Sequence, residues 1–535
     1  ARVEMAWIDE SFPPDDSSLG PALVGKHEVV WLGPEEVASA AGASPASLFG
    51  SGVSAGDVLE GELDDCYVAS ALTLLASSRH ALVQKLFATT TEQDLAAGRA
   101  QVTLWERGEK DVVVVDLRVP CKRGTRRPIF AHCRAPQGFW VQVVEKALAK
   151  KYGSFAALRG GNTAEALYDL TGCPVLDYNL EAADTVADIK SGRLWEEVRQ
   201  HVSRRREGAE SLVACARFSL KGGQQAGATG LMQNHAYSVL DARVFRKKTG
   251  KEEVCAVRVR NPWGGEGGWT GPLCARSPKW KDLRDEDRAG REDAEGDGAF
   301  WMPWSDFHGF FNRLHICFSS APPAPAASAT VEVQRSGGCS NFPSFWTNPA
   351  FVLSSGADVS VVVTVLQKDR RKELKGSDSA ISYPQVGLTV IKANNASEAH
   401  SPLALLPGRH TVIGRSRFWN KREAARLIHL SKDLSSLLLV PSSFHPRDRL
   451  SLIVAAHHET SGCTGAVTLE ACPSLSDLCI VGCLGTWQPT LRAAAPLSVK
   501  DVPVQPPGDV AWPTPLPGAA EGRGGAGGAA GGVAN

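Results

Sequence analysis

The clearest pattern along the chain is Val68 to Ser77, Val-Ala-Ser-Ala-Leu-Thr-Leu-Leu-Ala-Ser, where good helix formers repeat apolar positions at three and four. That density predicts a helix buried on most of its surface. A second helix is predicted from Trp140 through Val144, Glu145 and Leu148 to Tyr152, and Asn162 caps a short one after Gly160-Gly161. Beyond Thr171-Gly172-Cys173-Pro174 the period changes. Ser211 to Phe218, Ala236 to Val244 and Val254 to Arg260 alternate or run apolar with β-branched residues, which predicts an antiparallel sheet. Asp282 to Gly298 is charged and reads as an exposed loop. From Thr330 to Cys472 the pattern is all-β. Val359 to Leu366, Val386 to Ile391, Arg449 to Ala456 and Ala466 to Cys472 are strand-like runs, separated by Gly, Pro, Asn and Ser as in a β-sandwich.

At 535 residues the chain is too long for one compact core. The shifts in pattern divide it into a helical unit, 1–175, a β-rich unit, 176–320, an Ala/Pro linker, 321–329, and a sandwich, 330–475. Residues 476–535 form a C-terminal extension whose Pro, Gly and Ala content predicts disorder. The fold class expected is α+β followed by an all-β domain. Lys plus Arg and Asp plus Glu both total 58, so no global field draws the protein to nucleic acid or an anionic membrane. Arg204-Arg205-Arg206 reads as a solvated loop. The 13 cysteines are odd in number and lack CxxC pairs, which indicates neither a disulfide framework nor a zinc site. No run approaches the roughly 20 apolar residues that span a bilayer. Asn395-Ala396-Ser397 is a formal glycosylation sequon attributed to chance. A reducing, cytoplasmic setting is expected.

Three motifs carry chemistry. Cys66 sits in Gly61-Glu62-Leu63-Asp64-Asp65-Cys66-Tyr67, His235 in Asn234-His235-Ala236-Tyr237-Ser238, and Asn261 in Arg260-Asn261-Pro262-Trp263-Gly264. In that order they offer a thiol nucleophile, an imidazole to move its proton and an amide to orient the imidazole. A lone cysteine or histidine in a long chain is usually structural, and a lone Asn-Pro is usually a turn. Their joint occurrence is what points to proteolysis. Cys66 falls at the N-terminal end of the predicted helix, where the dipole and free N–H groups are expected to lower the thiol pKa. His235 opens one predicted strand and Asn261 closes another, so neighbouring strand ends bring them together.

These residues resemble calpains, the calcium-regulated cysteine proteases, from about Trp7 to Cys472. The likeness runs through Phe12 to Leu19, Val30-Trp31, Gly61 to Cys66, Phe139-Trp140, Glu145-Lys146-Ala147 and Gly160 to Asp169. It continues in His235 to Ser238, Asn261 to Gly264, Trp269-Thr270-Gly271 and Asp297 to Met302, then in Gly337-Gly338-Cys339, Phe345-Trp346 and Asn348-Pro349. The resemblance implies a papain-like core of two subdomains with a sandwich behind it. It assigns Cys66 as nucleophile, His235 as general base and acid, Asn261 as its orienting partner and Trp263 as the aromatic shielding their contact. Tyr67, also given to the cleft, stands where the family has tryptophan. Protein substrates are implied.

Departures from the family pattern matter. The oxyanion-hole glutamine, six residues before the nucleophile, is here Glu60. Ionised, Glu60 repels the developing oxyanion; protonated, which requires burial, it donates to it. Asp64 replaces a glycine and, pointing inward, would raise the thiol pKa. Of the family's calcium positions, Asp57 and Asp297 remain, with Gly50 and Gly52 available for carbonyls, but Gly138, Gly268, Ala275 and Ala299 stand where acids are usual. Glu266 or Glu295 are candidate substitutes. Ca2+ is the cofactor the resemblance suggests. No EF-hand loop is present, so no small-subunit partner is expected. Calcium-dependent membrane contact through the sandwich is a further implied role, though Thr330–Cys472 shows no dense acidic cluster. The reading is a calpain-type endopeptidase, and the alternative is a catalytically impaired scaffold on the same fold.

Overall fold

The computed structural model describes residues 7–472 except 44, 78–80, 205–210, 220–228, 251, 266–267, 289–296, 320–324, 375–381, 395–407, 432–433, 435 and 460–465. Arg205-Arg206, the 395–397 sequon, Glu266, Glu295, residues 321–324 of the predicted linker and the 476–535 extension lie outside the described residues. No helix in the described part is long and apolar enough to cross a membrane.

The first predicted helix forms as Cys66–Ala76, with every residue from Tyr67 to Ala76 buried. A helix apolar all round must be surrounded, and this one is. The helix Trp140–Tyr152, the helix Thr163–Thr171 capped by Asn162, and the hairpin Arg99–Glu106/Glu109–Asp116 enclose it in one core. Strand Val29–Leu32 pairs with Val119–Lys122 at its edge.

Against that core lies an antiparallel sheet of six strands. Their spatial order is Ala299–Pro303, Glu253–Arg260, His235–Arg246, Leu212–Arg217, Arg313–Cys317 and Val175–Asn179. Strand periodicity explains why its runs are apolar rather than cleanly alternating. Leu212, Ala214 and Ala216 face the helical core, whereas Val213 and Cys215 join a second core on the opposite face. That second face is covered by the amphipathic helix Arg193–Arg204 through Leu194, Val198 and Val202, an element the sequence reading missed.

The C-terminal region is a sandwich of a four-stranded and a five-stranded antiparallel sheet, with Val361, Val363, Leu388, Leu439 and Val454 among the residues filling it. Two of its predicted strands form as Val359–Gln367 and Val386–Ala393, and two more as Leu450–His458 and Val467–Cys472. The expected linker is shorter than composition suggested, because Ala327–Val333 already pairs with Leu450–His458 as an edge strand. The expected loop Asp282–Gly298 is likewise partly structured, by Asp285–Arg288.

Two arginines of the sandwich reach into the helical core. Arg422 is buried, pairs with Asp169 at 2.6 Å and Asp369 at 2.8 Å, and donates to the Tyr152 hydroxyl at 3.2 Å. Arg371 pairs with Glu165 and lies 4.4 Å from the centre of the Tyr152 ring and 5.7 Å from that of Tyr67. Buried charges of this kind cost more unpaired than they contribute when paired. Arg422→Met, which leaves Asp169 and Asp369 facing each other, is therefore expected to destabilise the chain by about 3–5 kcal/mol. Denaturant titration of the full chain checks this; a change below the error of that measurement would show the network to be dispensable.

Candidate active site

The segment entering the nucleophile helix is clamped by backbone contacts. Strand Val58–Leu59 pairs with His132–Cys133. The Glu60 N–H donates to the Pro262 carbonyl at 3.1 Å, and the Glu62 N–H to the Ile129 carbonyl at 2.9 Å. Between them Gly61 lies on the Phe130 backbone so closely that a Cβ would sit 2.2 Å from a carbonyl carbon, which explains the glycine. Asp64 then takes φ of +62°, the left-handed region that glycine adopts freely and Asp tolerates better than most residues. Its carbonyl accepts from the Gly160 N–H at 3.0 Å, and the helix starts at Cys66.

The base comes from the sheet. His235 is the first residue of strand His235–Arg246, and Asn261 follows the last residue of Glu253–Arg260, antiparallel to it. The ring Nε2 of His235 lies 2.9 Å from Asn261 Oδ1, which also accepts the Trp263 backbone N–H at 3.0 Å. Since Oδ1 only accepts, Nε2 carries the proton and Nδ1 holds the lone pair. Nδ1 is buried with no hydrogen-bond partner. Trp263 covers the imidazole with ring centres 4.7 Å apart, as the resemblance implies.

Long-range bonds join the two halves. Ser70 and Ser238 hydroxyls lie 3.1 Å apart, and the Ser238 hydroxyl donates to the Ser70 carbonyl at 2.9 Å. Arg260, fully buried beside Asn261, donates to the Thr73 hydroxyl at 2.9 Å, the Val58 carbonyl at 2.7 Å and the Asp297 carbonyl at 2.9 Å. The Ala236 backbone N–H bonds the Cys66 thiol, so the residue after the base touches the nucleophile. Ser70, Ser238 and Arg260 escaped the sequence reading. An arginine ending an otherwise apolar strand was the available signal.

The electrostatics differ from expectation. Burial, with Glu60 and Asp65 adding repulsion, pushes the Cys66 thiol well up despite its helix N-terminus. Burial also lowers His235 to about 4, against a smaller opposing effect from Asn261. The resting pair is therefore neutral thiol and neutral imidazole. Asp64 does not act on the thiol as feared: its side chain is 62% exposed and stands 3.5 Å from Arg159. Glu60 and Asp65 supply that repulsion instead. Both Asp65 oxygens are buried without a hydrogen-bond partner and face the buried Glu145 carboxyl. Two carboxyls in contact bond only when one is protonated, and burial raises both.

One expected placement changes. Tyr67 is not a cleft residue: one position along the helix from Cys66 it points into the core, with its ring against Gly161 and near Arg371. Of the positions proposed for calcium, Asp57, Asp297 and the Gly50 carbonyl make contacts within the protein. Asp57 accepts from the Ser54 N–H at 2.7 Å and hydroxyl at 2.9 Å. Asp297 accepts from the Ala299 N–H at 2.7 Å and pairs with Arg258 at 3.3 Å. The Gly50 carbonyl accepts from the Ser47 hydroxyl, and the Gly52 N–H donates to the Phe49 carbonyl. Among the described residues no three His, Cys, Asp or Glu side chains converge as a metal site.

Comparison with known families agrees with this architecture. Residues 7–318 match the calpain family cysteine protease model, and residues 328–454 match domain III of the calpain large subunit. The calpain-type cysteine protease DEK1 of Arabidopsis thaliana is 30% identical over 498 residues, covering 88% of this chain and 21% of that protein. Calpain-A of Drosophila melanogaster is 28% identical over 487 residues, 84% of this chain and 55% of its own length. Calpain-8 of Mus musculus is 29% identical over 482 residues, 82% and 63% respectively. The chain thus spans about a fifth of the plant relative and somewhat over half of the animal ones.

The carboxyl pair beneath the nucleophile makes stability pH-dependent. Burial holds Asp65 up at about 7 from an ordinary 3.8, and Glu145 is also raised. The folded state then binds a proton the unfolded chain releases, so the pair's contribution is full below pH 4 and lost as pH rises through 7. Glu145→Gln keeps the acceptor for the Ala131 N–H and gives Asp65 a permanent donor. Its Tm is expected to gain on wild type steadily across that window; parallel curves would mean no proton is shared.

Proposed function

The chain belongs to the calpain family of cysteine proteases, and from that premise we propose an endopeptidase that makes limited cuts in protein substrates through Cys66, His235 and Asn261. The observation that carries the proposal is the Asn261–His235 bond at 2.9 Å, which leaves Nδ1 as a lone-pair base beside the strand residue that bonds the thiol. In the proposed reaction Nδ1 takes the Cys66 proton as sulfur attacks the scissile carbonyl carbon. The C–S bond forms and the carbonyl π pair moves to oxygen. Collapse breaks the C–N bond, and His235 returns the proton to the leaving amine. A water, deprotonated by His235, then hydrolyses the thioester. Because thiol and imidazole rest neutral, proton transfer accompanies attack rather than preceding it.

A second reading has its own support. Glu60, at the position the resemblance gives to an oxyanion donor, raises the thiol pKa. A scaffold that binds partners without cutting them would look the same at this point. The mechanism contains no step through calcium. Regulation by calcium, which the family resemblance suggests, would recruit residues outside the described set, such as Glu266 and Glu295, and the cysteine pattern supports a cytoplasmic location.

Cys66→Ala is expected to lower cleavage of a denatured protein substrate by roughly 10⁴-fold or more, with unchanged folding by circular dichroism. Undiminished cleavage would sink the mechanism. A peptidyl epoxide is expected to modify Cys66, located by mass spectrometry with and without millimolar calcium. Labelling that rises with calcium adds ion regulation, labelling in both conditions removes it, and no labelling in either favours the scaffold.

A further inference from the structure

Glu60 is the departure from the family pattern nearest the reacting atoms, and its surroundings are built rather than incidental. Its backbone is fixed on one side by the Val58–Leu59 pairing and the Pro262 carbonyl, and on the other by the contact of Gly61 with Phe130. Trp263 and the Cys66 backbone N–H favour the ionised carboxyl, against the larger opposing effect of burial. One Glu60 oxygen, Oε2, is buried and has no hydrogen-bond partner. A buried carboxylate oxygen without a donor is costly, whereas the O–H of a carboxylic acid at that place is a donor awaiting an acceptor.

The titratable groups around it are mainly acidic. Asp64 and Asp65 lie on the same loop, Glu145 on helix Trp140–Tyr152, Cys66 at the head of its helix and Tyr237 on the base strand. Arg159 stands against Asp64, on its exposed side. Burial first, then Asp65 and Asp64, raise Glu60 well above the ordinary carboxylate range, against smaller effects of Trp263 and Cys66.

We propose that Glu60 is a catalytic residue in its protonated form, its Oε2–H donating to the substrate oxyanion, and that its ionisation switches the enzyme off. The proposal rests on the peptidase reading above. In the acylation step Cys66 sulfur bonds the carbonyl carbon, the π pair moves to oxygen, and that oxygen accepts the Glu60 O–H while Glu60 keeps its proton. The proton from the thiol goes to His235 and then to the amine, so Glu60 begins and ends neutral. Once ionised, the carboxylate has no proton to donate and repels both thiolate and oxyanion. The outcome is a peptidase restricted to the acid side of the Glu60 ionisation, a limit that a glutamine in this position does not impose.

The test is the pH dependence of kcat/KM on a fluorogenic peptide for the full chain and for Glu60→Gln, whose amide donates at every pH. Wild type is expected to fall through a one-proton ionisation missing from E60Q, so that the ratio of E60Q to wild type climbs by roughly 10²–10³ across it. A ratio that stays flat with pH overturns the proposal. So does a wild type inactive at every pH beside an active E60Q, which would leave the Cys66 reading intact and make Glu60 a permanent block. If neither protein cleaves peptide nor takes the epoxide, the peptidase reading itself has failed. A readout independent of turnover is the infrared difference between the two proteins. Wild type is expected to show a protonated-carboxyl C=O stretch below its ionisation that E60Q lacks, with Asp65 and Glu145 cancelling. Absence of that band overturns the proposal.

Discussion

The active-site geometry depends on how the Cys66–Ala76 helix is seated against the sheet. The helix is buried on all sides, so its position is set by packing rather than by its own hydrogen bonds. Two polar links give that packing a register. The Ser70–Ser238 contact ties the middle of the helix to the base strand, and Arg260 ties the asparagine strand to Thr73 and to the Val58 carbonyl. Each lies in the buried region, where an unmade hydrogen bond is expensive, so a sliding helix would lose several at once. The head of the helix, with Cys66, is thereby brought towards the beginning of one strand and the end of the next, where His235 and Asn261 stand.

What surrounds the nucleophile shows burial winning over simpler electrostatic expectations. A helix N-terminus favours a thiolate, but its effect is worth on the order of 1 kcal/mol at an exposed end. Desolvation in this pocket acts in the opposite direction, and Glu60 and Asp65 act with it. The same burial lowers the imidazole and raises Asp65 and Glu145. The site therefore rests with its charges suppressed.

The sandwich is coupled to this machinery rather than merely attached to it. Arg371 and Arg422 enter the helical core, where Glu165, Asp169 and Tyr152 meet them. Arg371 also lies over the ring of Tyr67, the residue next to the nucleophile. Tyr67 thus belongs to the interface between the helical core and the sandwich, and a shift of the sandwich would be felt one residue from Cys66.

Much of this was legible from local pattern. The period of Val68 to Ser77 identified the nucleophile helix, the β-branched runs identified the strands carrying His235 and Asn261, and the sandwich runs fell close to their observed bounds. Helix Arg193–Arg204 is hard to see in the sequence because charged residues interrupt its apolar stripe, and Tyr67, matched to a family tryptophan, turns instead into the core. The sequence by itself determined the elements, their order and the chemical types available, because periodicity and residue identity are local properties. Only the tertiary structure decided that Asp64 faces outward while Asp65 meets Glu145, that Arg260 bridges sheet and helix, and that a Glu60 oxygen is buried without a hydrogen-bond partner. Burial and protonation are set by whichever distant side chains converge on a group, and no spacing along the chain records that convergence.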